Sequence, residues 1–280
     1  MNTHALPADL ADAVARALAE DVGTGDLTAA LIPAGAQARA RIIAREPGVL
    51  CGTAWAETAF DQVEPRIRID WEARDGDTVT EGQTLCAIAG PARGILTAER
   101  TALNFLQTLS GTATAARRYA EAVQGTGATV IDTRKTLPGL RNAQKYAVAV
   151  GGCGNHRMGL YDFILIKENH IAAAGGVAAA LKSARKQQAG VPIEIEVETL
   201  EQLEDALVAG AERVLLDNFD LEHLREAVRI TAGRAKLEAS GNVDFDGLRA
   251  IAETGVHFIS IGALTKHVRA LDLSLRFAID

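Results

Sequence analysis

Aromatic residues make up only 4% of this 280-residue chain, cysteines number three, and no apolar run approaches the ~18 residues that a membrane-spanning helix needs. Cys51, Cys86 and Cys153 are odd in number and lack paired Cys-x-x-Cys spacing, which argues against a disulfide framework and a structural zinc site and points to a reducing compartment. His4, His156, His170, His223, His257 and His267 show no ligand spacing, so no histidine-built metal centre is expected. Net positive charge is missing too. At a formal charge of -7, the chain has no broad electrostatic footprint for nucleic acid or an anionic membrane, and any anion must be held locally. Residues 1–20 carry Asp9, Asp12 and Glu20 without an apolar core of signal-peptide length, so the expected location is the cytoplasm.

What is present suits a packed α/β protein: 48% hydrophobic and 23% charged residues, on a chain long enough to bury a substantial core. Residues 8–20 place Leu10, Val14, Ala17 and Leu18 on one face of a short amphipathic helix. From Ala38 to Leu96 the pattern is strand-rich and turn-rich, and the alternation over Arg66–Asp70 reads as a half-buried strand. The turn within Asp75–Leu85 is similar to that of biotinyl and lipoyl carrier domains, but no lysine precedes Lys135, so nothing there can hold a prosthetic group. A small sheet domain is the remaining reading. Thr97 is expected to cap a helix starting near Ala98, which places Arg100 in the first turn, against the positive end of the helix dipole.

Beyond Gly127 short apolar runs recur: ATVIDT, DFILIK, IEIEV, RVLLD, KLEAS and HFISIG. They read as parallel strands buried on both faces and joined by helices. Lys167, Glu196, Asp217, Ser240 and Gly262 close the later runs at separations of 29, 21, 23 and 22 residues. Six units are visible where a complete barrel has eight strands, so the expectation is an irregular, incomplete α/β barrel with these polar residues on its C-terminal rim. A doubly wound sheet would place ligands at the same strand ends.

The segment Asp132–Lys167 concentrates charge. It holds Arg134, Lys135, Arg141, Lys145, Arg157 and Lys167 against Asp132 and Asp162, a net +4, which leaves -11 for the rest of a chain whose total is -7. Arg134 and Lys135 leave a strand end, and Gly151, Gly152, Gly154 and Gly159 flank Asn155-His156-Arg157 with the freedom for tight turns and close approach to a ligand. Arg157 can grip a carboxylate bidentately, His156 can donate from the same turn, and Lys167 can add a point charge. Arg141 and Lys145, at i and i+4, read instead as a solvated helix face. A Cys153/His156 thiolate site lacks a third, orienting group.

With these residues the chain resembles the quinolinate phosphoribosyltransferase family. The resemblance runs from EDVGTGDLT at Glu20 through ERTALNFLQTLSGTAT at Glu99, DTRKTLPGLR at Asp132 and GGCGNHRMGLYDFILIKENHI at Gly151 to EIEVETL, LLDN, EASGN and ISIGALT. It implies an N-terminal α/β sandwich over 1–112, a barrel over 113–267 and a C-terminal segment, 268–280, returning to the sandwich. It implies phosphoribosyl transfer to quinolinate with decarboxylation, in a homodimer or larger assembly with shared sites. Quinolinate would meet Thr133, Arg134, His156, Arg157 and Lys167, with Arg100 from the neighbouring subunit. Phosphoribosyl pyrophosphate and its magnesium would use Lys135, Glu196 and Asp217, which also carry the chemistry. Ser240, Gly241, Asn242, Gly262 and Ala263 would hold the 5-phosphate. The rival is a paralogue of the same fold acting on another carboxylate, such as nicotinate; the intact GCGNHR and LIKENH blocks favour quinolinate, since a monocarboxylate needs fewer cations, and a non-catalytic binding protein would not need both Glu196 and Asp217.

Overall fold

The computed structural model describes residues 5–187, 190–241 and 243–279 and divides into two compact units. The first comprises residues 1–117, 136–152 and 263–280; the second comprises 118–135 and 153–262.

In the first unit, α1 (Leu10–Val22) turns Val14 and Leu18 into the core, as its apolar spacing requires. Then come β1 (Gln37–Ala44), β2 (Gly48–Val49), α2 (Thr53–Val63), β3 (Arg68–Trp71), β4 (Thr78–Val79), β5 (Thr84–Pro91) and the long α3 (Ala92–Ala122). β1 alternates strictly: Ala38, Ala40, Ile42 and Ala44 are buried, while Gln37, Arg39 and Arg41 face solvent. The chain returns at its C-terminus as β12 (Leu273–Ile279), giving an antiparallel sheet of order β12-β1-β5-β3. Trp55, Phe60, Ile88, Leu103, Leu106 and Leu109 fill the core against this sheet.

The helix expected from Ala98 begins six residues earlier, at Ala92. Thr97 is therefore no cap. Its hydroxyl donates to Asp26 Oδ2 at 2.8 Å, while Asp26 Oδ1 accepts from the amides of Thr28 and Ala29. Arg100 lies about two turns into the helix and is exposed, so the dipole conflict expected for it does not arise. Gly111 sits where the backbone at Arg269 and Ala270 crosses α3, and an added Cβ would overlap the Arg269 carbonyl oxygen. Gly111→Ala is expected to destabilise the protein by about 2–3 kcal/mol, read as a lower urea midpoint at unchanged slope.

The second unit is a parallel sheet. Its strands are β6 (Thr129–Ile131), β7 (Ile164–Ile166), β8 (Ile193–Val197), β9 (Arg213–Asp217), β10 (Lys236–Ser240) and β11 (Phe258–Ser260), in the order β6-β11-β10-β9-β8-β7. Between β6 and β7 the chain passes through α4 (Arg141–Gly151), part of the first unit. The other connections carry α5 (Glu168–Ala174), α6 (Val177–Gln187), α7 (Leu200–Val208), α8 (Leu221–Thr231) and α9 (Leu248–Ala252), and α10 (Ala263–Lys266) follows β11. An isolated bridge, Ile131 to Gly154, extends the β6 edge. The architecture is the expected incomplete barrel, an α/β fold of six parallel strands. The register puts Ile195, Val197, Val214, Leu216, Leu237, Ala239 and Ile259 on one face, whereas Glu194, Glu196, Arg213, Asp217, Glu238 and Ser240 share the other. The strands are thus not apolar on both faces, as their sequence suggested; the inner face is charged.

Candidate active site

Asp132, Thr133 and Lys135 follow the end of β6. Asp132 is wholly buried and accepts from Asn155 Nδ2 and from the His156 amide, both at 2.8 Å. It therefore anchors the basic turn rather than facing a ligand. Thr133 Oγ1 accepts from the Lys135 amide at 3.0 Å. A Cβ on Gly262 would lie 2.9 Å from Lys135 Cδ and 3.6 Å from Thr133 Oγ1, so the ends of β6 and β11 meet closely.

The turn 155–162 presents Arg157. Its far end is tied by Asp162, which accepts from the amides of Met158 and Gly159 at 2.8 and 3.0 Å. Burial first, and then the neighbouring Arg134 charge, lower the proton affinity of the Arg157 guanidinium. Two cations are thus held near each other in a partly desolvated place. Like charges so placed call for an anion of more than one charge.

Lys167 extends from the end of β7, and its ammonium donates to Glu196 Oε2 at 2.7 Å. Glu196 is buried near the end of β8, and Asp217 closes β9 on the same face, since Glu196 pairs with Leu215 two positions before it. Asp217 Oδ2 accepts from Asn218 Nδ2 at 2.9 Å. Asn218 and Gly241 both take positive φ, 59° and 90°, where the ends of β9 and β10 interlock. A Cβ on Gly241 would overlap the Asn218 side chain, so only glycine fits. Ser240 ends β10 beside Asp217. Asn242 lies outside the described residues. Ala263 opens α10 in the first unit, which also carries Arg100.

Several neighbours of the basic turn do other work. Lys145 on α4 is buried, so the expected solvated face with Arg141 is not what forms. Gly151 faces the Ala113 carbonyl and Ala116 at distances that leave no room for a side chain; it serves close helix packing, not ligand approach. Cys153 is buried, and burial and Asp132 push its thiol up to about 12, which removes the nucleophile reading.

Beneath the rim lies a buried charged cluster. Arg213 donates from Nε to Glu194 Oε1 at 2.7 Å and from its terminal nitrogen to Glu238 Oε2. His156 Nε2 meets Glu194 Oε2 at 2.9 Å. His156, Glu194 and Glu238 offer three donor atoms within 4.8 Å of one another, a spacing a metal could use. The Arg213 guanidinium already supplies the positive charge there.

Burial, and then repulsion from Glu194, raise Glu238 from 4.5 to about 7. The folded state therefore retains a proton that an unfolded glutamate gives up. The stability this represents is present below about pH 4.5 and is lost as pH rises through about 7. Glu238→Gln has no such proton to lose, so its melting temperature is expected to gain on wild type between about pH 5 and pH 8. Calorimetry at the two values checks this; a difference independent of pH would contradict it.

The model described as quinolinate phosphoribosyl transferase, N-terminal domain, matches residues 26–110, and that described as the C-terminal domain matches residues 112–276. The chain is 42% identical to a chloroplastic nicotinate-nucleotide pyrophosphorylase [carboxylating] of Oryza sativa subsp. japonica, over 96% of this chain and 77% of the relative. It is also 42% identical to a probable nicotinate-nucleotide pyrophosphorylase [carboxylating] of Bacillus subtilis (strain 168), over 91% and 89%. The solved nicotinate-nucleotide pyrophosphorylase from Francisella tularensis superposes with a TM-score of 0.95 at 45% identity, covering 99% of this chain and 100% of that one. The human nicotinic acid phosphoribosyltransferase, at 14% identity and a TM-score of 0.65, shares the fold.

Proposed function

The chain belongs to the quinolinate phosphoribosyltransferase family, and from that membership we propose how its residues divide the family's reaction. The reaction transfers the phosphoribosyl group of phosphoribosyl pyrophosphate to quinolinate with decarboxylation, giving nicotinate mononucleotide, carbon dioxide and pyrophosphate in NAD biosynthesis. The chain is a pentosyltransferase.

The observation that carries the residue assignment is the Lys167–Glu196 contact of 2.7 Å. It joins a cationic pole, Arg134 and Arg157, to an acidic pole, Glu196 and Asp217. Arg134, Arg157 and Lys167 hold the two carboxylates of quinolinate, with Thr133 and His156 in the same half. This orients the ring nitrogen toward ribose C1. The nitrogen lone pair forms the bond to C1 while the C1–O bond breaks and its electrons leave on pyrophosphate. Glu196 and Asp217 stabilise positive charge developing on the ribose, and Lys135 receives the departing pyrophosphate. The alkylated nitrogen then acts as an electron sink. The bond from C2 to its carboxylate breaks, the pair stays at C2, and a proton from water replaces the carbon dioxide. Ser240, Gly241 and Gly262 cradle the 5-phosphate with backbone amides.

Two hard carboxylate donors on one face of adjacent strands suit magnesium that keeps several of its waters. Glu196 and Asp217 would hold it with the substrate pyrophosphate, where it offsets the leaving-group charge.

A homodimer or larger assembly with shared sites is part of the same reading. Leu27 and Leu31, at 88% and 82% exposure, and the exposed Arg100 support a partner surface on the first unit. Mixing inactive Arg100→Ala and Glu196→Ala chains under conditions that exchange subunits is expected to restore about a quarter of wild-type activity, because half of a mixed two-fold assembly regains one intact site. No recovery would rule out sharing through Arg100. Three buried free thiols support a reducing compartment such as the cytoplasm; the Oryza relative is named chloroplastic.

A further inference from the structure

We propose that Arg213, Glu194 and Phe163 are positioning residues for the quinolinate half of the site, acting from beneath it through the His156–Arg157 turn without touching substrate. The inference rests on the assignment of Arg157 to quinolinate.

His156 is held at both ring nitrogens. Its Nδ1 accepts the Arg157 amide at 2.6 Å, so Nε2 carries the proton and donates it to Glu194 Oε2 at 2.9 Å. The orientation of the ring therefore fixes the amide on which the Arg157 side chain is mounted. Its own orientation is fixed from below. Glu194 is pinned by Arg213 Nε at 2.7 Å, and Arg213 is pinned in turn by Glu238. The Arg213 guanidinium stacks over Phe258 at 4.2 Å and Phe163 at 5.5 Å. Phe163 closes the circuit: its ring meets the His156 ring edge-on at 5.3 Å, and its carbonyl accepts from Arg157 Nη1 at 3.4 Å.

The placement along the strands separates this cluster from the acids assigned to phosphoribosyl pyrophosphate. Glu194 lies two residues before Glu196 on β8, and Arg213 four before Asp217 on β9. At about 3.3 Å of rise per residue, the cluster sits roughly 7–13 Å below the reacting groups along the strand direction. Glu238 has an oxygen, Oε1, that is buried without a hydrogen-bond partner among the described residues. With its acidity depressed by burial and by Glu194, Glu238 carries its proton into neutral solution and lets two carboxylates share one guanidinium. Among the described residues, the side-chain contacts of the cluster toward the His156–Arg157 turn run through His156 and Phe163. A defect in it should be felt by quinolinate and not by phosphoribosyl pyrophosphate.

Steady-state kinetics of Arg213→Lys and Phe163→Leu, with each substrate varied at saturation of the other, tests this. Lysine keeps the charge but not the two-pronged grip, and leucine keeps the apolar bulk but not the ring edge. The quinolinate KM is expected to rise about tenfold in Arg213→Lys and severalfold in Phe163→Leu, with the phosphoribosyl pyrophosphate KM within about twofold of wild type. If Arg213→Lys fails to fold, Phe163→Leu alone decides. An unchanged quinolinate KM, or an equal rise in both KM values, would overturn the proposal. Arg157→Ala run in parallel separates the two readings. Should Arg157→Ala leave the quinolinate KM unchanged, the site assignment itself is wrong; if only the two positioning variants leave it unchanged, the assignment stands and this inference falls.

Discussion

Arg157→Ala is expected to lower kcat/KM for quinolinate by about 10²–10³-fold while leaving the KM for phosphoribosyl pyrophosphate within about twofold of wild type. Arg157 is partly desolvated, and the nearby Arg134 charge already lowers its proton affinity. A bound dicarboxylate relieves that repulsion and gains a two-pronged, charge-assisted grip from a geometry prepared in advance by Asp132 and Asp162. Truncation removes both effects and leaves a carboxylate facing one cation fewer. Arg157→Lys should recover only part of the loss, because an ammonium keeps the charge and forfeits the planar fork. Separate titration of the two substrates in steady-state assays checks the result; equal loss for both would mean that Arg157 supports the fold and not the substrate.

Glu196→Gln should act on the other half. It keeps the shape of the side chain and removes the charge proposed to face the ribose, and it also weakens the hold on Lys167 Nζ, now at 2.7 Å. A fall in kcat of about 10²–10³-fold is expected, on the scale seen when a preorganised electrostatic contact to a transition state is removed. Quinolinate binding, measured calorimetrically without the second substrate, should fall far less, since Lys167 remains charged and is freed toward the carboxylates. A variant that lost quinolinate affinity and kept kcat would place Glu196 in the wrong half of the site.

Much of the rim was legible in the sequence because parallel strands announce themselves as apolar runs, and the residue closing each run must emerge at the C-terminal edge. Lys167, Glu196, Asp217, Ser240 and Gly262 close these runs, and the register places Glu196, Asp217 and Ser240 on one face. The layer beneath is less plain. Glu194, Arg213 and Glu238 interrupt those same runs, which by their apolar content read as buried on both faces. The signal was available: Glu194 and Glu196, Arg213 and Asp217, and Glu238 and Ser240 are separated by even numbers of residues, and in a strand that spacing means one face. What no spacing could show is that one guanidinium would satisfy two glutamates from different strands, since that depends on strand order.

The early start of α3 is hidden in the sequence for a different reason. Thr97 looks like a cap by type, but its hydroxyl is used by Asp26, a residue 71 positions away. The helical spacing of Lys145 with Arg141 points to solvent, whereas tertiary packing buries Lys145. In both places long-range contacts settle what the local pattern leaves open. The glycines misled in a similar way. Gly151 is required by helix packing, whereas Gly241, at the rim, is required by a positive φ and by the Asn218 side chain.

This chain couples phosphoribosyl transfer to loss of the quinolinate 2-carboxylate, and the cations proposed to serve both steps stand at the ends of its β6 and β7 connections. The direct measurement is product stoichiometry with quinolinate labelled at that carboxylate, for wild type and for Arg134→Ala, with nicotinate as the alternative acceptor. Wild type is expected to give equal amounts of labelled carbon dioxide, pyrophosphate and nicotinate mononucleotide with little turnover of nicotinate, and Arg134→Ala to lose all three products together. Pyrophosphate released without carbon dioxide, or an Arg134→Ala enzyme as active as wild type, would contradict it.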